Sequence, residues 1–288
     1  MQASGILPFT GLHRKWENQQ WKAAAIDLSQ DASDWLQATA EERWQWFWLA
    51  SFAHFRQSET DAVVWLSRLL PCLQNLDEQY LLAAQIADEA RHAVFFERFH
   101  REVLQQALPG GEVTISPSYR MLFVETPKRV ADNLVKDRSA ASLAVAVFHV
   151  FILLEGAIAL ASFSVIRRLL IKTTRFPGLL KALTLAQRDE VRHAELGLAI
   201  LLRLFDERSS CRDAVQLHLE EHLSTFSSVL EPRPERRRIL EGFGLDPCER
   251  RNKAFTFLRR KASALGLSIR DNTRAGEMPR GAKPLEIV

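Results

Sequence analysis

Apolar residues recur three and four positions apart through most of this chain, and the alternation of a half-buried strand is almost confined to residues 112–116. Residues 40–73 therefore predict a first long helix, with Thr39 as its N-cap and Glu42 completing a capping box. Pro71 and Asn75 bracket its end. Residues 76–106 predict a second helix, closed by Pro109-Gly110-Gly111, residues 139–172 a third, and residues 177–205 a fourth. The stretch 110–137 predicts a connection with short turns. Two further helices are predicted over 212–230 and 234–265, Pro234 suiting a first helical position. The tail after Asp271 has the composition of a mobile loop or a partner-docking end.

One segment, 140–166, is apolar enough to be read as a membrane span. His149 and Glu155 lie near its middle, where an ionisable group is expensive in lipid. A helix buried on all sides within a bundle explains the same pattern. Four helices of about 30 residues are each roughly 45 Å long, the scale of a four-helix bundle able to host a metal site.

Composition narrows the class. The 288 residues are 47% hydrophobic and 25% charged, as in a soluble globular protein. Lys+Arg 38 against Asp+Glu 35 leaves +3, which calls for neither a nucleic-acid nor a membrane partner. Cys72, Cys211 and Cys248 lack paired spacing, so no disulfide framework or zinc ribbon is indicated. Residues 1–16 have no signal-peptide pattern, and a reducing cytoplasm is the expected location.

The candidate chemistry lies in two copies of one pattern. Asp88-Glu89-Ala90-Arg91-His92 falls on the second helix and Asp189-Glu190-Val191-Arg192-His193 on the fourth. Residues three apart share a helix face, so each copy turns one carboxylate and one imidazole the same way. A lone Glu stands on each preceding helix: Glu59 before the first copy and Glu155 before the second. Glu155 lies in Phe151-Ile152-Leu153-Leu154-Glu155-Gly156-Ala157-Ile158, where a bare carboxylate would be costly and metal coordination removes the cost. Glu59, Glu89, His92, Glu155, Glu190 and His193 thus form the ligand set of a carboxylate-bridged pair of metal ions. Four carboxylates balance two divalent ions, and the absence of thiolate favours iron or manganese over zinc.

The flanking residues read as supports of the imidazoles. Asp88 and Asp189 each stand four before a His and can accept from its free nitrogen, while crossed pairs Asp88–Arg192 and Asp189–Arg91 would tie the two helices together. The third Glu-x-x-His, Glu97–His100, falls about 80° further round its helix, on another face. His218 and His222, with Glu221 between them, read as a solvated face. Trp16, Trp21, Trp35, Trp44, Trp46 and Trp48 read as packing around the first helix, and Phe95, Phe96, Phe148, Phe151 and Leu154 are candidates for a pocket wall.

These residues resemble the ribonucleotide reductase small-subunit-like branch of the ferritin superfamily. The run Ile26-Asp27-Leu28-Ser29-Gln30-Asp31 with Asp34-Trp35 is similar to the start of that branch's ligand-binding oxidases, and Asp-Glu-x-Arg-His also looks like multicomponent monooxygenase hydroxylases. The resemblance implies an all-α, ferritin-like four-helix bundle core (39–206), an N-terminal extension (1–38), C-terminal helices packed on the core (207–270) and a flexible tail (271–288). It further implies a homodimer and an Fe/Fe or Mn/Fe centre beside an apolar cavity. Two departures stand out. Radical-generating subunits usually carry a Tyr four after the first ligand His, here Phe96, and the ligand-binding oxidases a crosslinking Tyr five before the third Glu, here Val150.

The leading expectation is therefore an enzyme, a dioxygen-activating di-iron or Mn/Fe oxidase or oxygenase. Its substrate would be small and largely apolar, and its electrons would come from a separate reductase or ferredoxin. The alternative is a radical-generating small subunit of a ribonucleotide reductase that lacks the usual radical Tyr. A third class, metal storage, fits the helices after Phe205 poorly.

Overall fold

The computed structural model describes residues 9–49, 52–105 and 115–269, and their side chains apart from those of 48, 49 and 52–54. The tail after Asp271, Pro109-Gly110-Gly111 and most of 112–116 lie outside these residues. Among the described residues eleven helices follow one another: α1 (Phe9–Asn18), α2 (Ser29–Gln37), α3 (Ala40–Leu49), α4 (Phe52–Leu69), α5 (Leu76–Phe99), α6 (117–136), α7 (Ala140–Thr173), α8 (Pro177–Glu207), α9 (Ser209–Leu230), α10 (Pro234–Gly242) and α11 (Glu249–Ala264). No strand occurs among the described residues.

Helix α4 packs along α5, α7 along α8, and α5 meets α8 across the middle, which makes a four-helix core of two matched pairs. The ends are set by the residues the patterning singled out. Thr39 and Glu42 form the reciprocal capping box at 2.8 and 3.2 Å, and Asn75 and Ser139 cap α5 and α7 by accepting from backbone N–H groups. Helix α7 is the apolar one. It is long enough to cross a membrane by length and composition, yet 83% of its most apolar window is buried within the protein. Its middle, Phe148–Ala159, winds with π-type i→i+5 bonds, and Glu155 sits inside that stretch. Gly197 of α8 lets α7 come this close, since a Cβ there would collide with the Phe151 side chain.

Two expectations are corrected. The connection 110–137 was to consist of short turns, but 117–136 is helical, lying against α4, α7 and α9 with Leu122, Ala131 and Leu134 buried. Pro117 stands in the first turn of this helix, where its missing N–H costs nothing, and Pro127 lies within it, just after the π-wound residues Met121–Glu125. The single helix expected over 234–265 is instead α10 and α11, divided at a turn where Gly244 takes φ 62°.

Candidate metal centre

The two Asp-Glu-x-Arg-His copies meet face to face in the core, and Glu59 and Glu155 close the cluster from α4 and α7. Potential ligand atoms of Glu59, Glu89, His92 and Glu190 lie within 4.8 Å of one another, as do those of Glu89, Glu155, Glu190 and His193. Glu89 and Glu190 belong to both groups, so the cluster has two adjoining centres with shared carboxylates. All six side chains are buried. His92 Nδ1 is 3.4 Å from Glu59 and from Glu89, and His193 Nδ1 is 3.0 Å from Glu89 and 3.6 Å from Glu155.

The donor set fits metal ions on its own terms. Glu89 Oε1, His92 Nδ1, Glu155 Oε1, Glu190 Oε2 and His193 Nδ1 are all buried without a hydrogen-bond partner, a concentration that proteins otherwise avoid. Burial, aided by the neighbouring carboxylates, raises Glu59 well above the usual range, Glu155 to about 8, and Glu190 as well. Burial would also raise Glu89, but His193 and His92 outweigh it and hold it well below. Four carboxylates in one dry site need cationic charge, and two divalent ions supply it.

The imidazoles are held from outside, and here the expected pairing is reversed. His92 Nε2 meets Asp189 at 3.3 Å and His193 Nε2 meets Asp88 at 3.3 Å, each across to the opposite helix and not to the aspartate on its own helix. With Nδ1 turned to the cluster, Nε2 points away from its own helix axis and reaches the facing one. The arginines do cross as expected: Arg192 binds Asp88, and Arg91 donates to Asp189 at 3.1 Å. Each arginine also binds the aspartate of its own helix. Burial opposes ionisation of both aspartates, but the imidazoles and arginines hold them below the usual carboxylate range.

Several partners escaped sequence reasoning. Trp16 donates to Asp88 at 3.1 Å and Trp21 to Asp189 at 2.8 Å, while Gln19 accepts from Arg192 at 2.7 Å and Gln20 from Arg91 at 2.9 Å. The segment 16–21 thus covers the two Asp–Arg pairs symmetrically, so these two tryptophans do more than pack beside the first helix. Their signal was the Trp-x4-Trp spacing around Gln19-Gln20, legible only once a two-fold site is in view. Gln85, buried, donates to Glu155 at 2.7 Å. It stands one turn before Glu89, and that placement was its only signal.

The N-terminal acidic run also has a structural task. Asp31 accepts from the N–H groups of Gly178 and Leu179 at 2.8 Å, and Asp34 from that of Phe176 at 2.7 Å. Together they cap α8, the helix that carries Glu190 and His193.

A cavity of about 440 Å³ opens against Glu59, walled by Phe55, Tyr119, Phe123 and Ile158 and, toward the C-terminal helices, by Arg236 and Arg250. None of Phe95, Phe96, Phe148, Phe151 and Leu154 lines it. They fill the core, because the open side of Glu59 faces α6 and α10. Glu97 turns away to Arg56 at 3.3 Å, as its position round the helix requires.

His218 and His222 are not a solvated pair: both are buried, stacked at 4.2 Å, in a chain from the Leu122 carbonyl through His149. Glu221 comes near enough to complete a three-ligand group. However, His222 Nε2 already meets Thr126 and Arg129 at 3.2 Å, and a guanidinium there opposes a metal ion. Burial lowers His149 to about 3 and His218 to about 2, so both are neutral.

Known proteins with this arrangement can now be set beside it. An R2-like ligand-binding oxidase with aerobically reconstituted metal cofactor after photoconversion superposes with a TM-score of 0.80 at 22% identity, over 92% of this chain and 95% of that one. A mutant R2-like ligand-binding oxidase with anaerobically reconstituted Mn/Fe cofactor superposes with a TM-score of 0.77 at 21% identity, over 93% and 96%. At such identities the likeness speaks to the fold, a ferritin-like all-α bundle with added C-terminal helices. The family model for the small chain of ribonucleotide reductase matches residues 9–225, which include all six cluster residues. The chain belongs to the ribonucleotide reductase small-chain family.

Proposed function

We propose that this protein is a dioxygen-dependent oxidase or oxygenase with a dinuclear Fe/Fe or Mn/Fe centre, acting on a small organic substrate that is largely apolar. The observation that carries this reading is the pair of buried four-ligand groups sharing Glu89 and Glu190. Glu59, Glu89, His92 and Glu190 would hold one ion, and Glu89, Glu155, Glu190 and His193 the other. Such a pair supplies the electrons that reduce dioxygen and, in turn, an oxidant for a C–H or N–H bond.

The chain's own residues do the rest. Asp189 and Asp88 accept from Nε2 of His92 and His193 and so fix the tautomer that leaves each Nδ1 free for an ion. Arg91 and Arg192 neutralise those aspartates, and the segment 16–21 keeps water off them. Gln85 donates to one oxygen of Glu155, and the other is buried without a hydrogen-bond partner. The cavity against Glu59 offers an approach for substrate.

A radical-generating subunit is the second reading, favoured by the family match. Against it, Phe96 at the usual radical position lies fully buried among Phe55 and Phe95, and Tyr80 is exposed. The separate electron donor and a homodimer belong to the proposal.

Elemental mass spectrometry of protein produced with iron and manganese both supplied tests the reading. About two ions per chain, falling sharply in Glu155→Ala, is the expected result, and the Fe:Mn ratio separates the two centre types. Zinc alone, or no stoichiometric metal under any loading, would overturn it.

A further inference from the structure

Helix α11 lies antiparallel along the outer side of α7. Arg168 donates to Glu249 at 2.6 Å, Lys253 to the Ser164 hydroxyl at 2.8 Å, and the Phe257 ring covers Gly156, where a Cβ would meet it at 2.6 Å. Gly156 follows Glu155, so on this side one helix, about 10 Å thick, separates solvent from the stretch that holds Glu155. Asn252, Lys253, Thr256, Arg259 and Arg260 form the exposed side of that helix. The face is strongly basic. Residues 249–264 carry six Lys and Arg against Glu249 alone, and residues 160–173 of α7 carry three with no acid. Nine cations and one acid leave +8, and with +3 for the whole chain the rest of the sequence sums to −5. Arg250 and Arg251 turn away from this face, to the Val229 carbonyl and to Glu231. Arg168 and Lys253 stay on it, 57% and 43% exposed, held side by side by the buried Glu249. Arg260 stands two turns beyond Lys253 on the same side, at the level of Glu155. Lys261, over the Phe257 ring at 5.4 Å, has its pKa lowered by burial and then by Arg260, with Glu195 opposing. Ile171, 57% exposed between Arg168 and Lys172, adds an apolar point among the cations.

We infer that the outer face of α7 and α11 docks an acidic one-electron carrier protein, the separate donor that the proposed reaction needs; its role, though not the docking itself, rests on that reading. An acidic surface complements these cations and is steered to them over a distance. An apolar point within a charged rim suits a transient interface between proteins. Electron transfer falls off steeply with distance, so a carrier gains from a seat one helix away from Glu155. A nucleic acid or a membrane gains nothing from that place. Each carrier gives up one electron, and two carriers return a pair of trivalent ions to the divalent state with no bond made or broken.

Calorimetric titration of the full chain, with and without metal, is the test. The probes are an acidic 2Fe–2S ferredoxin and, as a basic carrier of similar size, cytochrome c. Ferredoxin should bind in both states and cytochrome c at least about tenfold more weakly, and raising salt from about 0.05 to about 0.5 M should weaken ferredoxin about tenfold. Lys253→Glu with Arg260→Glu should cost about tenfold. An equal reversal elsewhere on the surface, Arg101→Glu with Arg120→Glu, should cost less than about threefold. Arg260→Glu alone serves should the first pair not fold. Equal losses in the two pairs would reduce the attraction to net charge and overturn the docking face, as would equal binding of the two carriers. Phosphatidylserine vesicles or a short DNA duplex held more tightly than ferredoxin at the same salt would also overturn it. Stopped-flow oxidation of reduced ferredoxin by the metal-loaded chain should slow about tenfold in the first pair with metal content unchanged. Two ions per chain with no preference for ferredoxin removes the docking face alone, whereas ferredoxin docking on a chain that takes no metal removes the dimetal reading and leaves the face.

Discussion

Glu155 and Gln85 show how much single side chains carry in a dry cluster. Because burial raises Glu155 to about 8, protons compete with metal ions for it at neutral pH. Metal affinity should therefore rise with pH up to about 8, with protons released on binding, which calorimetry in buffers of different ionisation enthalpy would register. An affinity flat between pH 6 and 8 would show that Glu155 is already ionised. Gln85→Leu removes the amide donor to Glu155 while keeping the side chain's bulk, and should weaken metal binding by about tenfold, in line with other outer partners of ligands. Unchanged binding would mean that packing alone aims Glu155. The residue scale is also where reading along the chain was most informative. A carboxylate among seven apolar neighbours has few explanations, and a repeated Asp-Glu-x-Arg-His has fewer.

At the scale of elements, α8 depends on a segment about 150 residues earlier. Asp31 and Asp34 supply its N-terminal acceptors, and Gly178 leaves room for them: a Cβ there would lie 2.8 Å from Leu28 and 2.9 Å from Asp31 and would strike the Asp27 carbonyl. Asp31→Ala should cost about 1–2 kcal/mol in urea unfolding, as other lost caps do. Gly178→Ala should destabilise as well, by forcing the 27–31 segment off α8. A neutral result in both would show the segment to be a bystander. The acidic run that looked like a family signature is thus a cap for the helix carrying Glu190 and His193. Which helix it would cap was not legible, because a cap given by a distant segment leaves no local spacing.

For the whole molecule, the buried imidazoles between α6, α7 and α9 set a limit on acid stability. His149 and His218 stay neutral in the folded chain, at about 3 and about 2, but become protonated near pH 6.5 when unfolded. The unfolded state then binds more protons, so stability falls as pH drops below about 6.5 and goes on falling until the folded values are reached. At pH 5 each would cost about 2 kcal/mol. Urea midpoints at pH 7.5 and 5 should fall less far apart in His149→Leu than in the unaltered chain. An equal fall would assign the acid sensitivity to the carboxylates and imidazoles of the metal centre.

Helical periodicity, two Asp-Glu-x-Arg-His copies and two isolated glutamates determined an all-α bundle and named the six cluster residues, because those signals lie within single helices and obey helix geometry. The tertiary structure decided what passes between helices: that Asp189 serves His92 and Asp88 serves His193, and that Trp16 and Trp21 cover the pairs. It also decided that the cavity opens toward Arg250 and not among Phe148, Phe151 and Leu154. A side chain's face on its own helix follows from a fixed rotation per residue, whereas its partner on another helix depends on the register in which the two helices pack. That register is set by contacts spread over the whole core and is written in no local pattern.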